Sequence, residues 1–449
     1  MFDIRVAYFP IGRKTFDMEV AETYFNESLT LLKSQCPHLL SPEHILTSVD
    51  ELKQFIADHA SESQPELVVF QPITFADAEF IVEVMEHYSS QSIFVWSVRE
   101  PSVGGRLRLN SLTGGNSACN ALKYFGRDFE FLLGNPDEPA ILRRLHAVFA
   151  AVDMVHKLKR LTVGVIGDHP PGFFFSGADE LELMKLTGTK IHHFDLHSIF
   201  KKSMELSEEH YLPMIESASA RVVGLKKDEE TTIRFAKFST YLKRHMEQHG
   251  IKATAVRCWP DFFNEIGAAA CSTLSQFIED GIMSSCESDI NGVITMYIQQ
   301  VLSGGLAPYL GDLVHLDEER NSVCFWHCGA GAYSLANART GAKAGVHPNR
   351  KLGFTLEFGL KPGPVTIARL GRTSKGYRML IMKGEALDSP QQFYGTSGEV
   401  RLAGDAKATL YALMQEGLEP HYSIVHADIV DELAELAKRL GIETLTYVD

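Results

Sequence analysis

The chain has 449 residues, enough for two or three domains, and its 45% hydrophobic and 22% charged residues make an ordinary globular mixture with material for sizeable cores. Lys and Arg number 43 against 57 Asp and Glu, a formal net charge of −14, which argues against both nucleic acid and an anionic membrane surface as partners. The N-terminal MFDIRVAYFPIGRKTFDMEV lacks the basic-then-apolar order of a signal peptide, and no apolar run reaches the roughly 18 residues that span a bilayer, so a cytoplasmic protein is expected. Seven cysteines scattered from Cys36 to Cys328 do not form a disulfide framework. Cys324 and Cys328 flank His327, but a C-x3-C spacing without a second Cys/His pair close by does not make a structural zinc site, and buried free thiols are the better reading.

The first block alternates strand and helix patterns. Ile4 to Phe9 is a short apolar strand, and a helix follows from about Asp17 to Ser34. Leu67 to Phe70 is a buried strand, Ala76 to Tyr88 a helix, and Ser92 to Trp96 another strand. This alternation implies a parallel sheet covered on both faces. Helical spacing then runs from Ile141 to Leu158, and a domain boundary is placed there, giving a first domain at 1–158.

The second block, 159–305, restarts the pattern. Leu161 to Gly167 is an apolar strand opening into the loop Asp168-His-Pro-Pro-Gly172. A helix near Asp179 to Leu186, strands at Lys190 to Asp195 and Ala253 to Cys258, and a helix from about Pro260 to Asp280 with small residues along it follow. The third block, 306–449, is rich in Gly and β segments: Ser322 to Trp326, Gly353 to Phe358, Val365 to Leu370 and Tyr377 to Lys383. Gly and Pro punctuate them as in an antiparallel sheet or barrel. A final helix, Ile429 to Leu440, stops at Gly441.

The densest polar run is Cys286-Glu-Ser-Asp-Ile-Asn-Gly292, followed by Pro308-Tyr-Leu-Gly-Asp-Leu-Val-His315, Phe325-Trp-His-Cys-Gly329 and Glu419-Pro-His-Tyr-Ser-Ile-Val-His426. Carboxylates beside apolar strands, with histidines at strand–loop edges, suit a hard divalent cation with positions open for substrate. On the residues alone, Glu287 and Asp312 read equally as helix-cap or loop carboxylates and His421 as a satisfied core histidine. Gly164-Val-Ile-Gly167 after a strand lacks the full dinucleotide fingerprint, and Pro170-Pro171 would block a tight helix start.

Over nearly its whole length the sequence resembles the L-fucose isomerase and L-arabinose isomerase superfamily. The resemblance runs through Trp96-Ser-Val-Arg-Glu-Pro101, Arg106-Leu-Arg-Leu-Asn-Ser111, Ile166-Gly-Asp-His-Pro-Pro-Gly-Phe173, Arg257-Cys-Trp-Pro260, Cys286 to Gly292, Pro362 to Leu370 and His421 to His426. It implies two flavodoxin-like parallel-sheet domains followed by a β-rich, barrel-like domain. It also implies a homo-oligomer, commonly a hexamer, in which a neighbouring subunit completes each active site. It implies a divalent metal, usually Mn²⁺ with Co²⁺ or Mg²⁺ as alternatives, held by a Glu, an Asp and a C-terminal His. The matching positions are Glu287, Asp312 and His421, with His327 as a fourth ligand or a substrate contact.

The implied activity converts an aldose to a ketose by proton transfer between C1 and C2 through an enediol(ate), with Glu287 and Asp312 as the catalytic carboxylates. His327, Arg13, Trp96, Arg99 and Asn116 are the expected substrate contacts. A pentose, a 6-deoxyhexose and a C6-anionic, for example sulfonated, hexose all fit. Arg13, Arg99, Arg106 and Arg108 are the guanidiniums that would meet an anionic group, unless Arg99 simply pairs with Glu100 or another carboxylate. A metal-assisted lyase or epimerase, and a non-catalytic sugar-binding protein, stand as the rival readings.

Overall fold

The computed structural model describes residues 1–61 and 64–449. The chain falls into two compact units, Met1–Asp153 and Met154–Asp449; the division lies inside the long helix Pro139–Arg160.

In the first unit five parallel strands stand in the order His38–Leu40, Arg5–Ile11, Leu67–Pro72, Ser92–Ser97, Phe129–Leu133. This 2-1-3-4-5 order is the flavodoxin-like doubly wound arrangement. Its strands are apolar at successive positions because both faces are covered. Val6, Tyr8, Val69, Phe94 and Trp96 pack with Phe25, Leu32, Leu145 and Phe149 on one face. Ala7, Phe9, Val68, Phe70 and Val95 pack with Leu52, Ile56, Phe80 and Leu122 on the other.

The second unit opens with a four-stranded parallel sheet in the order Met283–Ser285, Ala253–Val256, Thr162–Ile166, Lys190–Phe194. The single helix expected over residues 260–280 is two pieces, Phe262–Ile266 and Cys271–Glu279. Gly267 breaks it by adopting φ 65°, and the Arg234 guanidinium donates to the Ile266 carbonyl. Ala268, Ala269 and Ala270 then go into the core between the two pieces.

Six antiparallel strands of the same unit close into a barrel. Their order is Gly376–Ala386, Gly363–Thr373, His421–Val425, Tyr309–Asp317, Ser322–His327 and Thr396–Leu402, and the last pairs back to the first. Helix Ile290–Leu302 is buried along most of its length and contacts both the parallel sheet and the barrel. Its Gln299 amide donates to the carbonyls of Thr366 (3.2 Å) and Ser423 (3.1 Å), so the helix is bonded directly to two barrel strands. Among the described residues, no helix is long and apolar enough to cross a membrane.

The closing seam is tight at Gly384, which pairs with Leu402; a Cβ there would run into the Arg401 carbonyl and the Val400 side chain. Gly384→Val is expected to lower unfolding free energy by about 1–3 kcal/mol. A denaturant titration showing no loss would mean that the seam has room.

Candidate metal and sugar site

Glu287 lies beyond the carboxyl end of strand Met283–Ser285, where parallel α/β sheets place their ligands. Asp312 and His421 are direct cross-strand partners in the barrel, and His327 ends the next strand along. Four separate stretches of sequence therefore converge. His421 Nε2 stands 3.6 Å from Glu287 Oε2 and 3.6 Å from Asp312 Oδ1, and His327 Nε2 stands 3.9 Å from Glu287 Oε2. Ligand atoms of Glu287, His327 and His421 all lie within 4.8 Å of one another.

The backbone that presents Glu287 is strained. Glu287 and Ser288 both adopt the left-handed region, with φ of 51° and 53°, a conformation that non-glycine residues avoid and that clusters at functional sites. The surroundings hold it in place. The Ser288 N–H donates to the Val256 carbonyl (3.1 Å), its hydroxyl to the Gly167 carbonyl (2.9 Å), and the Ser285 hydroxyl to the Asp289 carbonyl (2.7 Å).

His421 is aimed by Asp289. Its Nδ1 is 2.8 Å from Asp289 Oδ2, which leaves Nε2 facing Glu287 and Asp312. Asp289 also accepts from the Gly292 N–H (2.8 Å) as the N-cap of helix Ile290–Leu302. The Arg369 guanidinium grips the same carboxylate through two bonds of 2.5 and 3.0 Å, and both side chains are fully buried. Gly292 is required here: a Cβ would fall on the Asp289 carboxylate and the Arg369 guanidinium. Burial alone would raise the Asp289 carboxyl, but Arg369 and His421 hold it well below the usual carboxylate range. A carboxylate orienting an imidazole through its other nitrogen is the usual support for a metal-ligating histidine.

The donor set fits a hard cation. Glu287 Oε2 is buried without a hydrogen-bond partner, although two imidazoles lie just outside bonding range. Burial pushes the Glu287 carboxyl upward. Burial would depress His421, but Asp289, Glu287 and Asp312 draw it the other way, toward its charged form. An orphaned carboxylate oxygen, with acid groups pulling protons onto a histidine, describes a centre that lacks positive charge. Two carboxylates and imidazole nitrogens suit a divalent cation of the Mn²⁺, Co²⁺ or Mg²⁺ kind.

A model described as "L-fucose isomerase, C-terminal domain" matches residues 348–447. Over 448 residues, the full length of both chains, the sequence is 54% identical to sulfoquinovose isomerase of Priestia aryabhattai. It is 50% identical over 439 residues, 98% of each chain, to sulfoquinovose isomerase of Alkalicoccus urumqiensis. A sulfoquinovose isomerase of Clostridium sp. (strain MSTE9) is 39% identical over 456 residues, again spanning both chains.

The chain belongs to the sulfoquinovose isomerase family, within the L-fucose isomerase superfamily. It is an aldose–ketose isomerase, which displaces the lyase, epimerase and sugar-binding readings. The family is metal-dependent, in keeping with the buried Glu and His group.

The other nominated sugar contacts lie in the first unit. Trp96 is fully buried in its core, with Nε1 donating to the Gly134 carbonyl (2.9 Å), so it offers a ligand no surface. Arg13 pairs with Asp77. Arg99 pairs with Glu138 through bonds of 2.7 and 3.0 Å rather than with Glu100, which instead accepts from the backbone of residues 108–110. Asn116 is exposed on helix Ser111–Tyr124. All seven cysteines are free. Four of them lie near the site: Cys258 and Cys286 with sulfurs within 4.8 Å of a Glu287 oxygen, and Cys271 with Cys328 at 3.6 Å between sulfurs.

Sequence reasoning missed Asp289 and Arg369, although both stand in motifs that carry the resemblance. The signals were an Asp directly before an apolar helical run and an Arg inside the apolar strand 365–370, since a buried guanidinium needs a carboxylate. Two measurements check this pair. Arg369→Met is expected to cost about 3–5 kcal/mol in a urea titration because it leaves Asp289 buried without its cation. Asp289→Asn is expected to weaken divalent-cation affinity about 10–100-fold. Unchanged values in both would make the pair a bystander.

Proposed function

We propose that this protein isomerises sulfoquinovose, taken as a C6-sulfonated aldohexose, to the corresponding ketose with a divalent cation bound at Glu287, Asp312 and His421. The observation that carries the reading is the orphaned, buried Glu287 oxygen facing His421 and His327. Full-length relatives bearing the name sulfoquinovose isomerase supply the substrate.

The hydrogen on C2 of an aldose is too weakly acidic for water to remove quickly. A divalent cation, which we take to be Mn²⁺, supplies Lewis-acid stabilisation of the negative charge that develops on the sugar oxygens. Glu287 and Asp312 act as the proton-carrying pair: one takes the proton from C2 and delivers it to C1, and the other manages the hydroxyl proton as the carbonyl shifts. His421 stays fixed by Asp289, which keeps its Nε2 turned toward Glu287 and Asp312. His327 is the further ligand or hydroxyl contact on the same side.

We assign the assembly as a hexamer in which a neighbouring subunit completes each site, on the strength of the family resemblance. Seven free cysteines support a reducing, cytoplasmic setting.

The test is turnover of sulfoquinovose by the Mn²⁺-loaded enzyme, followed as ketose formation. Chelation and dialysis should abolish it, and Mn²⁺ or Co²⁺ should restore it. Glu287→Gln and Asp312→Asn should each lose at least ~10²-fold in kcat while remaining folded. Full activity in excess chelator, or near-normal turnover in either variant, would contradict the assignment.

A further inference from the structure

A sulfonate carries a permanent negative charge, so its receptor needs a cation that no protein carboxylate has already neutralised. Most arginines around the site fail that requirement. Arg369 is held by Asp289, Arg372 by Glu182 at 2.6 Å, and Arg257 by Asp261 at 2.5 Å. Of the guanidiniums nominated from the sequence, Arg13 is held by Asp77, Arg99 by Glu138 and Arg108 by Asp17, while Arg106 keeps its charge and donates to the Thr15 carbonyl. The cavity bordered by Asn291, Arg372 and Glu419, about 540 Å³, is acidic through Glu182 and Glu419 and does not suit an anion.

Arg350 differs. Among the described residues its guanidinium has no carboxylate partner. It lies instead over two aromatic rings, 5.9 Å from the Trp259 centroid and 5.7 Å from the Phe263 centroid. Those faces stabilise the cation and restrict the side chain without consuming its hydrogen-bond donors.

Two routes lead from the metal centre to this residue. Along the first, Cys258 has its sulfur within 4.8 Å of a Glu287 oxygen, and the next residue is Trp259. Along the second, His327 is 3.9 Å from Glu287, and its Nδ1 is 3.4 Å from the Cys328 sulfur. Cys328 and His347 have ligand atoms within 4.8 Å, and the Arg350 N–H donates to His347 Nδ1 at 3.2 Å. An aromatic wall also leaves the centre: Phe175 lies 5.2 Å from His421, Phe173 5.5 Å from Phe175, and Trp259 5.4 Å from Phe173. These rings make a chain of edge-to-face and tilted contacts from His421 to Trp259, with the cation at its end.

We propose that Arg350, laid against Trp259 and Phe263, binds the sulfonate of the substrate and so sets the preference for an anionic sugar; this rests on the isomerase reading above. The planar fork donates two parallel hydrogen bonds to sulfonate oxygens, which a lysine in its place would not.

The test compares kcat/KM for sulfoquinovose with kcat/KM for the same hexose lacking the sulfonate, in Mn²⁺-loaded wild type, Arg350→Gln and Arg350→Lys. Arg350 is exposed, so both variants should fold. In Arg350→Gln the ratio of the two values should fall roughly 10–100-fold, with the loss on KM rather than kcat. Arg350→Lys should recover part of it. Wild type that fails on sulfoquinovose would overturn the isomerase reading and this inference together. Wild type that turns it over, with an unchanged ratio in Arg350→Gln, would overturn the inference alone.

Discussion

The site depends on one buried carboxylate. Asp289 caps helix Ile290–Leu302, receives both arms of the Arg369 fork and fixes the ring of His421. Taking two charges out of water is unfavourable, and a buried pair holds only when further hydrogen bonds satisfy it. Here the helix N-terminus and an imidazole supply those bonds. The helix start, the barrel strand Gly363–Thr373 and the strand His421–Val425 are thereby locked to a single carboxylate.

The barrel and the parallel sheet serve different purposes at this point. Barrel closure sets the register that puts Asp312 opposite His421, a position repeated hydrogen bonds make hard to slip. The parallel sheet supplies Glu287 from the strained turn after Ser285, where two successive left-handed residues are held by bonds to Val256 and Gly167. The ligand set is thus assembled from a rigid strand pair on one side and a constrained loop on the other. That leaves little freedom for the two carboxylates, which repel each other, to swing apart.

The doubly wound first unit was legible from periodicity, because strands such as Leu67–Pro72 are buried on both faces and read as unbroken apolar runs. The barrel was legible as β-rich, but three of its strands, Tyr309–Asp317, Thr396–Leu402 and His421–Val425, carry Gly, Asp, Glu, Arg or His where they pass the site or solvent, which blurs alternation. Helices Leu196–Met204, Glu208–Ser219 and Glu230–Gln248 were not anticipated; the last has its buried positions separated by a strongly charged face. Glu287, Asp312 and His421 came from resemblance, because ligands contributed by separate elements leave no local spacing to read. Arg350 left no signal, since its distinction is its place over the Trp259 and Phe263 rings, distant in sequence, which only the folded chain reveals.

The most direct test of the central claim is an anomalous difference map from crystals of the Mn²⁺-loaded protein. A peak should lie within bonding distance of Glu287, Asp312 and His421 Nε2, with Asp289 remaining on His421 Nδ1 and Arg369. A peak ligated by Asp289, or placed among Cys258, Cys271, Cys286 and Cys328 and absent from the carboxylates, would contradict the account.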